Sequence, residues 1–206
     1  MRPENFKIIL WDFDGVIIDS NLIREQGFIE VLQDYPREQV NLLLAYHNVN
    51  GGLSRYVKFR YFFEKIRNEF ISEERVNDFS ARFSSIMKER LVNNELLINS
   101  TVNFIQEQFE VSKEMHIVSG SDGSELKQLC KALKIDHYFV SINGSPTPKN
   151  QLVQDVIKSS KLDHSEFCLI GDSENDYEAA VINNVVFFGY NNPALEVYGN
   201  YLNKIQ

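Results

Sequence analysis

No stretch of this 206-residue chain approaches the ~20 apolar residues that a membrane-spanning helix needs; the longest runs, Ile8 to Trp11 and Val185 to Phe188, end after a few positions. A secretion signal is also missing, since Arg2 is followed at once by Pro3 and Glu4 and the first apolar stretch breaks at Asp12. Cysteine is scarce. Cys130 and Cys168, in segments that pattern as helix and strand, make no disulfide framework and read as buried free thiols in a reducing compartment. Basic residues are in deficit: 21 Lys and Arg against 29 Asp and Glu give a net charge of -8, which argues against a nucleic-acid backbone or an anionic membrane as the main partner. Small phosphorylated ligands stay open, because they need only a few local cations or a metal. Low-complexity tracts and internal repeats are lacking too.

What is present is an ordinary globular composition, with 43% hydrophobic and 24% charged residues, so wholesale disorder is excluded. The length suits one domain, or one domain carrying a sizeable insertion. Lys7 to Phe13 is a short apolar run that stops in Asp14-Gly15 and reads as a buried strand ending in a turn. Similar runs recur at Met115 to Val118, Tyr138 to Ile142, Glu166 to Ile170 and Val185 to Phe188. Between the last four lie helical patterns at Ser124 to Leu133, Gln151 to Ile157 and Tyr177 to Ile182, and Asp163 to Glu166 reads as a short turn. Strands alternating with helices predict a parallel sheet with helices on both faces.

One segment breaks the alternation. From about Asn21 to Asn94 there is no convincing strand. Helices are expected at Leu22 to Leu32 and Glu38 to Tyr46. Tyr56, Phe59, Phe63, Ile66 and Phe70 then repeat at steps of three and four, as do, nearly, Val76, Phe79, Phe83, Ile86 and Leu91. Ser72 before Glu73 and Glu74 reads as a helix N-cap. Two such stripes predict a packed helix pair. The chain therefore reads as an α/β protein with a Rossmann-like parallel-sheet core, residues 1–19 and 95–206, and an inserted α-helical cap domain, residues 20–94.

Ligands of open parallel sheets bind beyond the carboxyl ends of the strands. The segments following the predicted strands are Asp12-Phe-Asp14-Gly-Val16, Ser119-Gly120-Ser121, Ser145-Pro-Thr-Pro-Lys149 and Gly171-Asp172-Ser-Glu-Asn-Asp176. Four carboxylates, Asp12, Asp14, Asp172 and Asp176, are thereby expected to converge with a lysine and a serine. Clustering them without a cation costs several kcal/mol, roughly, even at an effective dielectric near 20. Hard oxygen ligands suit magnesium, and the lack of nearby Cys or His disfavours zinc.

Those four segments, in that order, resemble the motifs of the haloacid-dehalogenase-like hydrolase superfamily, most of whose members are phosphatases. Asp12-Phe-Asp14-Gly-Val16 resembles the first motif, Ile117-Val-Ser119-Gly120 the second, Lys149 the third-motif lysine, and Gly171-Asp172-Ser-Glu-Asn-Asp176 the fourth. The helical insertion is similar to the family's C1-type cap, in the manner of the phosphoglycolate phosphatase and β-phosphoglucomutase-like subgroup. The third motif departs from the pattern: Pro146 and Pro148 precede Lys149, and Asn150 rather than proline follows it.

The resemblance implies roles. Asp12 is the nucleophile and a magnesium ligand; Asp14 is the general acid and base, and its backbone carbonyl reaches the metal. Asp172 is a metal ligand, and Asp176 binds metal through water or orients its neighbours. Ser119, Gly120 and Lys149 hold the transferring phosphate. Gly52-Leu-Ser54-Arg55 is similar to the cap loop of sugar-phosphate relatives, which implies that Ser54 and Arg55 select the substrate, Arg55 gripping a second anionic or polyol group. Lys58, Arg60, Arg24, His47 and Asn48 lie near this loop in sequence. The expected protein is a cytoplasmic Mg2+-dependent phosphatase, a monomer or weak homodimer, acting on a small phosphorylated metabolite, a sugar phosphate first. Two other readings stand beside it. A sugar-phosphate mutase of the same superfamily is disfavoured by the absence of histidine from Asp19 to Arg24. A phospho-accepting signalling receiver is disfavoured by motif order and by the cap.

Overall fold

The computed structural model describes residues 1–205. Its centre is strand β1 (Ile8–Trp11), whose four residues are all fully buried. A strand covered on both faces needs apolar side chains at every position, which is why this run is continuous rather than alternating. Strand β2 (Glu114–Asp122) pairs parallel with β1 on one side, and β4 (Phe167–Gly171) on the other. With β3 (Ser141–Ser145), β5 (Val186–Tyr190) and the two-residue β6 (Tyr201–Leu202), they form a six-stranded parallel sheet in the order β3-β2-β1-β4-β5-β6. Strands leave β1 in opposite directions, and this reversal opens a crevice at its carboxyl end, where a parallel sheet binds its ligand.

The sheet divides the core. Ile8, Leu10, Phe167 and Leu169 face α7 (Lys149–Ser160) and α8 (Glu174–Ile182), packing on Val153, Val156 and Ala180. Ile9, Trp11, Cys168 and Ile170 face the other way, towards Phe104 and Ile105 of α5 (Asn99–Glu110) and Leu126 and Leu129 of α6 (Gly123–Ala132). Both cysteines are buried and free.

Between β1 and β2 stand four further helices: α1 (Asn21–Val31), α2 (Arg37–Val49), α3 (Arg55–Tyr61) and α4 (Glu73–Arg90). Ser54 caps α3 by accepting from the Val57 amide, and Ser72 caps α4 by accepting from the Arg75 amide, so each hydroxyl satisfies an otherwise orphaned donor. Their shared core is aromatic. Phe59 lies 5.4 Å from Phe28, 5.5 Å from Phe79 and 6.3 Å from Phe83, ring centre to ring centre.

Several expectations from sequence need correction. The stripe from Tyr56 to Phe70 is not one helix: α3 passes into a π-helical turn, Phe62–Ile66, and the chain then turns through Asn68 in the left-handed region. Phe70, placed on the apolar stripe by its spacing, is 86% exposed. The third strand begins at Ser141, because Tyr138 closes a 3-10 turn, Asp136–Tyr138, that uses up the start of the apolar run. Ser119 does not follow β2 but lies within it, since pairing resumes at Asp122 after an irregularity beyond Val118.

Truncating Phe59 removes a fully buried ring from the aromatic core. Phe59→Ala is expected to lower unfolding stability by about 3–5 kcal/mol, read from urea unfolding; a loss below about 1 kcal/mol would contradict this packing.

Candidate active site

The carboxyl end of β1 delivers Asp12 directly into the crevice, 3% exposed. Lys149, first residue of α7 after Pro148, brings its ammonium to 3.0 Å from Asp12 Oδ1 and donates to Asp176 as well. Asp176 is fully buried in the first turn of α8, and its Oδ2 accepts from the Ser173 amide at 3.0 Å and the Ser173 hydroxyl at 2.6 Å. Asp172 follows β4. Its Oδ2 accepts from Asn21 Nδ2 at 3.1 Å, and its carbonyl accepts from Asn192 Nδ2 at 2.8 Å. Gly15, with φ +72°, makes room here: a Cβ on it would lie 1.9 Å from Asp172 Oδ2.

Oxygens of Asp12, Asp172 and Asp176 lie within 4.8 Å of one another. One lysine does not balance three carboxylates, of which Asp12 and Asp176 are buried and Asp172 half-buried. Burial first, and then the charge of Asp176, push the Asp12 carboxyl up to about 7 against the pull of Lys149. Burial, with Asp12 and Asp176, likewise holds Asp172 well above the usual carboxylate range. Lys149 is the converse: burial favours loss of its proton, but Asp12 and Asp176 outweigh that and hold it above the usual lysine range. A small divalent cation suits this arrangement, because the donors are hard oxygens and positive charge is what the cluster lacks.

Asp14 is brought to the same cavity but faces different partners. Ser20 donates to its Oδ1, Arg24 Nε donates to the same oxygen at 2.6 Å, and Ser121 donates to Oδ2 at 2.6 Å. Burial works to raise this carboxyl; Arg24's charge and the hydrogen bonds prevail and hold it below the usual range. Ser119 is buried, and its hydroxyl accepts from the Ser121 amide at 3.1 Å. A Cβ on Gly120 would lie 2.1 Å from the Gly52 carbonyl oxygen, so glycine is what lets the Gly51-Gly52 loop close on the sheet edge.

Ser54 and Arg55 stand apart from the acid cluster. Ser54 is engaged as the α3 cap and lines a neighbouring cavity with Pro146, Pro148 and Lys149, not the one holding Asp12. Arg55 does line the Asp12 cavity, but its guanidinium is occupied. Its Nη1 donates to Glu125 Oε2 and Ser84 Oγ, each at 2.6 Å, its Nη2 donates to Glu125 Oε1 at 2.9 Å, and its carbon lies 4.6 Å from the Phe83 ring centre. Arg24 Nη1 reaches Glu125 Oε1 at 3.1 Å. Glu125 is therefore a fully buried carboxylate shared by two arginines from α1 and α3. Sequence reasoning misses it, because an acid in the first turn of α6 reads as an exposed residue favoured by the helix dipole.

The haloacid dehalogenase-like hydrolase family model matches residues 9–190. The chain belongs to that family. Among solved structures, it is similar to CbbY from Rhodobacter sphaeroides in complex with xylulose-(1,5)bisphosphate, at TM-score 0.78 and 14% identity, covering 97% of this chain and 95% of that one. It is also similar to β-phosphoglucomutase from Clostridium difficile (TM-score 0.78, 14% identity, 97% and 92% covered). A predicted phosphoglycolate phosphatase from Haemophilus somnus gives TM-score 0.70 at 19% identity, with 98% and 90% covered. No curated protein matches the sequence. These likenesses carry the fold of this haloacid dehalogenase-like chain, and they give the receiver reading no support. No helix among the described residues is long and apolar enough to cross a membrane.

Removing the charge of Glu125 leaves two buried guanidinium groups sharing too little negative charge. Glu125→Gln is expected to cost about 3–5 kcal/mol of unfolding stability; a loss below about 1 kcal/mol would show that the arginines find other partners.

Proposed function

We propose that this chain is a magnesium-dependent phosphatase that hydrolyses a small phosphorylated metabolite through an aspartyl-phosphate on Asp12. The observation that carries this reading is Asp12 itself: a buried carboxylate at the end of the central strand, paired with the Lys149 ammonium and facing two further acids. Helices α1 to α4 act as the cap over residues of the sheet edge, and the cavity lined by both, about 240 Å³, takes a substrate of a few carbon atoms.

In the proposed reaction an Asp12 oxygen attacks phosphorus, and the bond from phosphorus to the ester oxygen breaks. Asp14 gives its proton to the departing oxygen. A water molecule then attacks phosphorus, Asp14 takes the proton back, and the acyl-phosphate bond breaks to release phosphate. To act as acid, Asp14 has to trade the Arg24 guanidinium for the ester oxygen, because Arg24 favours the ionised form. Lys149, Ser119 and the Gly120 amide stabilise the charge on the transferring group. Asp12, Asp172 and the Asp14 carbonyl would hold the magnesium ion, with Asp176 fixing Lys149 beside them. The ion supplies positive charge to the phosphoryl oxygens and lets Asp12 approach them.

Purified protein is expected to release phosphate from p-nitrophenyl phosphate only when magnesium is present, and Asp12→Asn to lose that turnover by about a thousandfold or more. Lys149→Met should lower kcat by about a hundredfold. Undiminished turnover in Asp12→Asn, or full activity after chelation, would overturn the proposal.

A further inference from the structure

The three acids of the cluster are not held alike. Asp12 is still on the sheet, its amide donating to the Ile170 carbonyl at 2.9 Å. Asp176 is gripped by Ser173 and by Lys149. Asp172 has left the sheet: pairing of β4 with β1 ends at Ile170, and with β5 at Gly171. It is also the half-buried member of the three. Its position therefore depends on side chains from elsewhere in the chain.

Three asparagines from two parts of the fold take that part. Asn192 Nδ2 donates to the Asp172 carbonyl at 2.8 Å, and its Oδ1 accepts from the Ala194 amide at 3.2 Å. One end must donate and the other accept, so this side chain is fixed in one sense. Asn191, just before it, lies in the left-handed region at φ 55°, which asparagine tolerates better than most residues. Successive side chains of an extended chain point to opposite sides. The left-handed residue breaks that rule and brings both amides to one crevice, where Asn191 Nδ2 donates to the Gly15 carbonyl at 3.0 Å. Gly15 itself abuts both Asp172 and Asn21. Asn21, the first residue of α1, completes the set from the inserted helices, its Nδ2 donating to Asp172 Oδ2 at 3.1 Å. Burial, and then the charges of Asp12 and Asp176, disfavour the ionised form of Asp172; of the groups that favour it, the Asn21 amide stands ahead of Lys149.

We propose that Asn192, Asn191 and Asn21 are positioning residues for the cation, holding Asp172 by its backbone and its carboxylate where it serves as a ligand beside Asp12. This rests on the reading of the acid cluster as a magnesium site. Magnesium accepts little departure from octahedral geometry at about 2.0–2.1 Å. Asp172, repelled by two like charges and untied from the sheet, would otherwise turn away from Asp12. Partners one step removed from a metal fix its ligands in this way. Asn192 does so from the core and Asn21 from the insertion, so both parts of the chain frame the seat of the ion.

The test is magnesium titration by calorimetry, without substrate, so that binding is read apart from turnover. Asn192→Ser is the main variant, because serine caps the following turn as asparagine does but is too short to reach the Asp172 carbonyl. It is expected to weaken magnesium binding about tenfold or more, with a melting temperature within about 3 °C of native. Asn191→Gly keeps the left-handed turn and loses the amide; it and Asn21→Ala should each weaken binding by about threefold or more. Asn200→Ala is the control. Asn200 Nδ2 donates to the Phe187 carbonyl at 3.2 Å, a bond of the same kind on β5 but outside the Asp12 cavity, and its loss should leave magnesium binding unchanged. If native protein binds the ion and Asn192→Ser binds it equally well, or if Asn200→Ala weakens binding as much, the positioning role is overturned and the metal site stands. Native protein that binds no magnesium would overturn the metal site and the positioning role with it. Should Asn192→Ser fail to fold, Asn191→Gly and Asn21→Ala decide, and undiminished binding in both overturns the role.

Discussion

Two buried carboxylates, a half-buried third and one buried ammonium stand together at the end of the central strand, and the rest of the structure is arranged around that imbalance. Asp12 cannot move away, because β1 is hydrogen-bonded on both sides and its side chains are locked between two helical layers. Asp172 is seated against Gly15, and Asp176 is fixed by the Ser173 amide and hydroxyl. The acids are thus held in mutual repulsion by a framework whose stability comes from apolar burial elsewhere. On the proposed reading, substrate phosphate and a divalent cation relieve that repulsion together, each carrying the charge the other needs.

A second ionic arrangement ties the inserted helices to the sheet. Glu125, at the start of α6, joins Arg24 of α1 to Arg55 of α3, and Arg24 in turn reaches Asp14. An element of the core and two elements of the insertion therefore share one buried charge network that ends on the proposed acid. Such networks are costly to desolvate and weak as sources of stability, but they fix geometry strictly, since breaking one member strands the others.

Much of this was legible in the sequence, for identifiable reasons. The strands of a doubly covered sheet are continuous apolar runs, so β1 and β4 stand out; the turn residues after them place Asp12, Asp14 and Asp172 at one edge. Lys149 was legible because proline before it and helical spacing after it mark a helix start. What was hidden depends on tertiary contacts. Phe70 keeps helical spacing yet lies outside any helix, because the Arg67 and Glu69 amides close on the Phe62 and Phe63 carbonyls and the chain then turns through Asn68 in the left-handed region. Helix α5 was missed although Val102, Ile105 and Phe109 recur along it at steps of three and four. Nothing in the spacing of Glu125 tells a buried bridging acid from a solvated one, and Arg55, conspicuous in its loop, gives no sign that it is already paired.

On the proposed reading, Asp12, Asp172 and Asp176 form an overcharged site completed by a divalent cation. Asp12 is raised to about 7, so below that pH it carries a proton that the cation must displace, and above it the carboxylate is already free. Magnesium titration by calorimetry, in buffers of differing ionisation heat, measures this directly. Protons are expected to be released on binding at about pH 6 and fewer at about pH 8.5, affinity to rise between the two, and Asp172→Asn to abolish binding. Binding without proton release at the lower pH, or undiminished binding in Asp172→Asn, would contradict that reading.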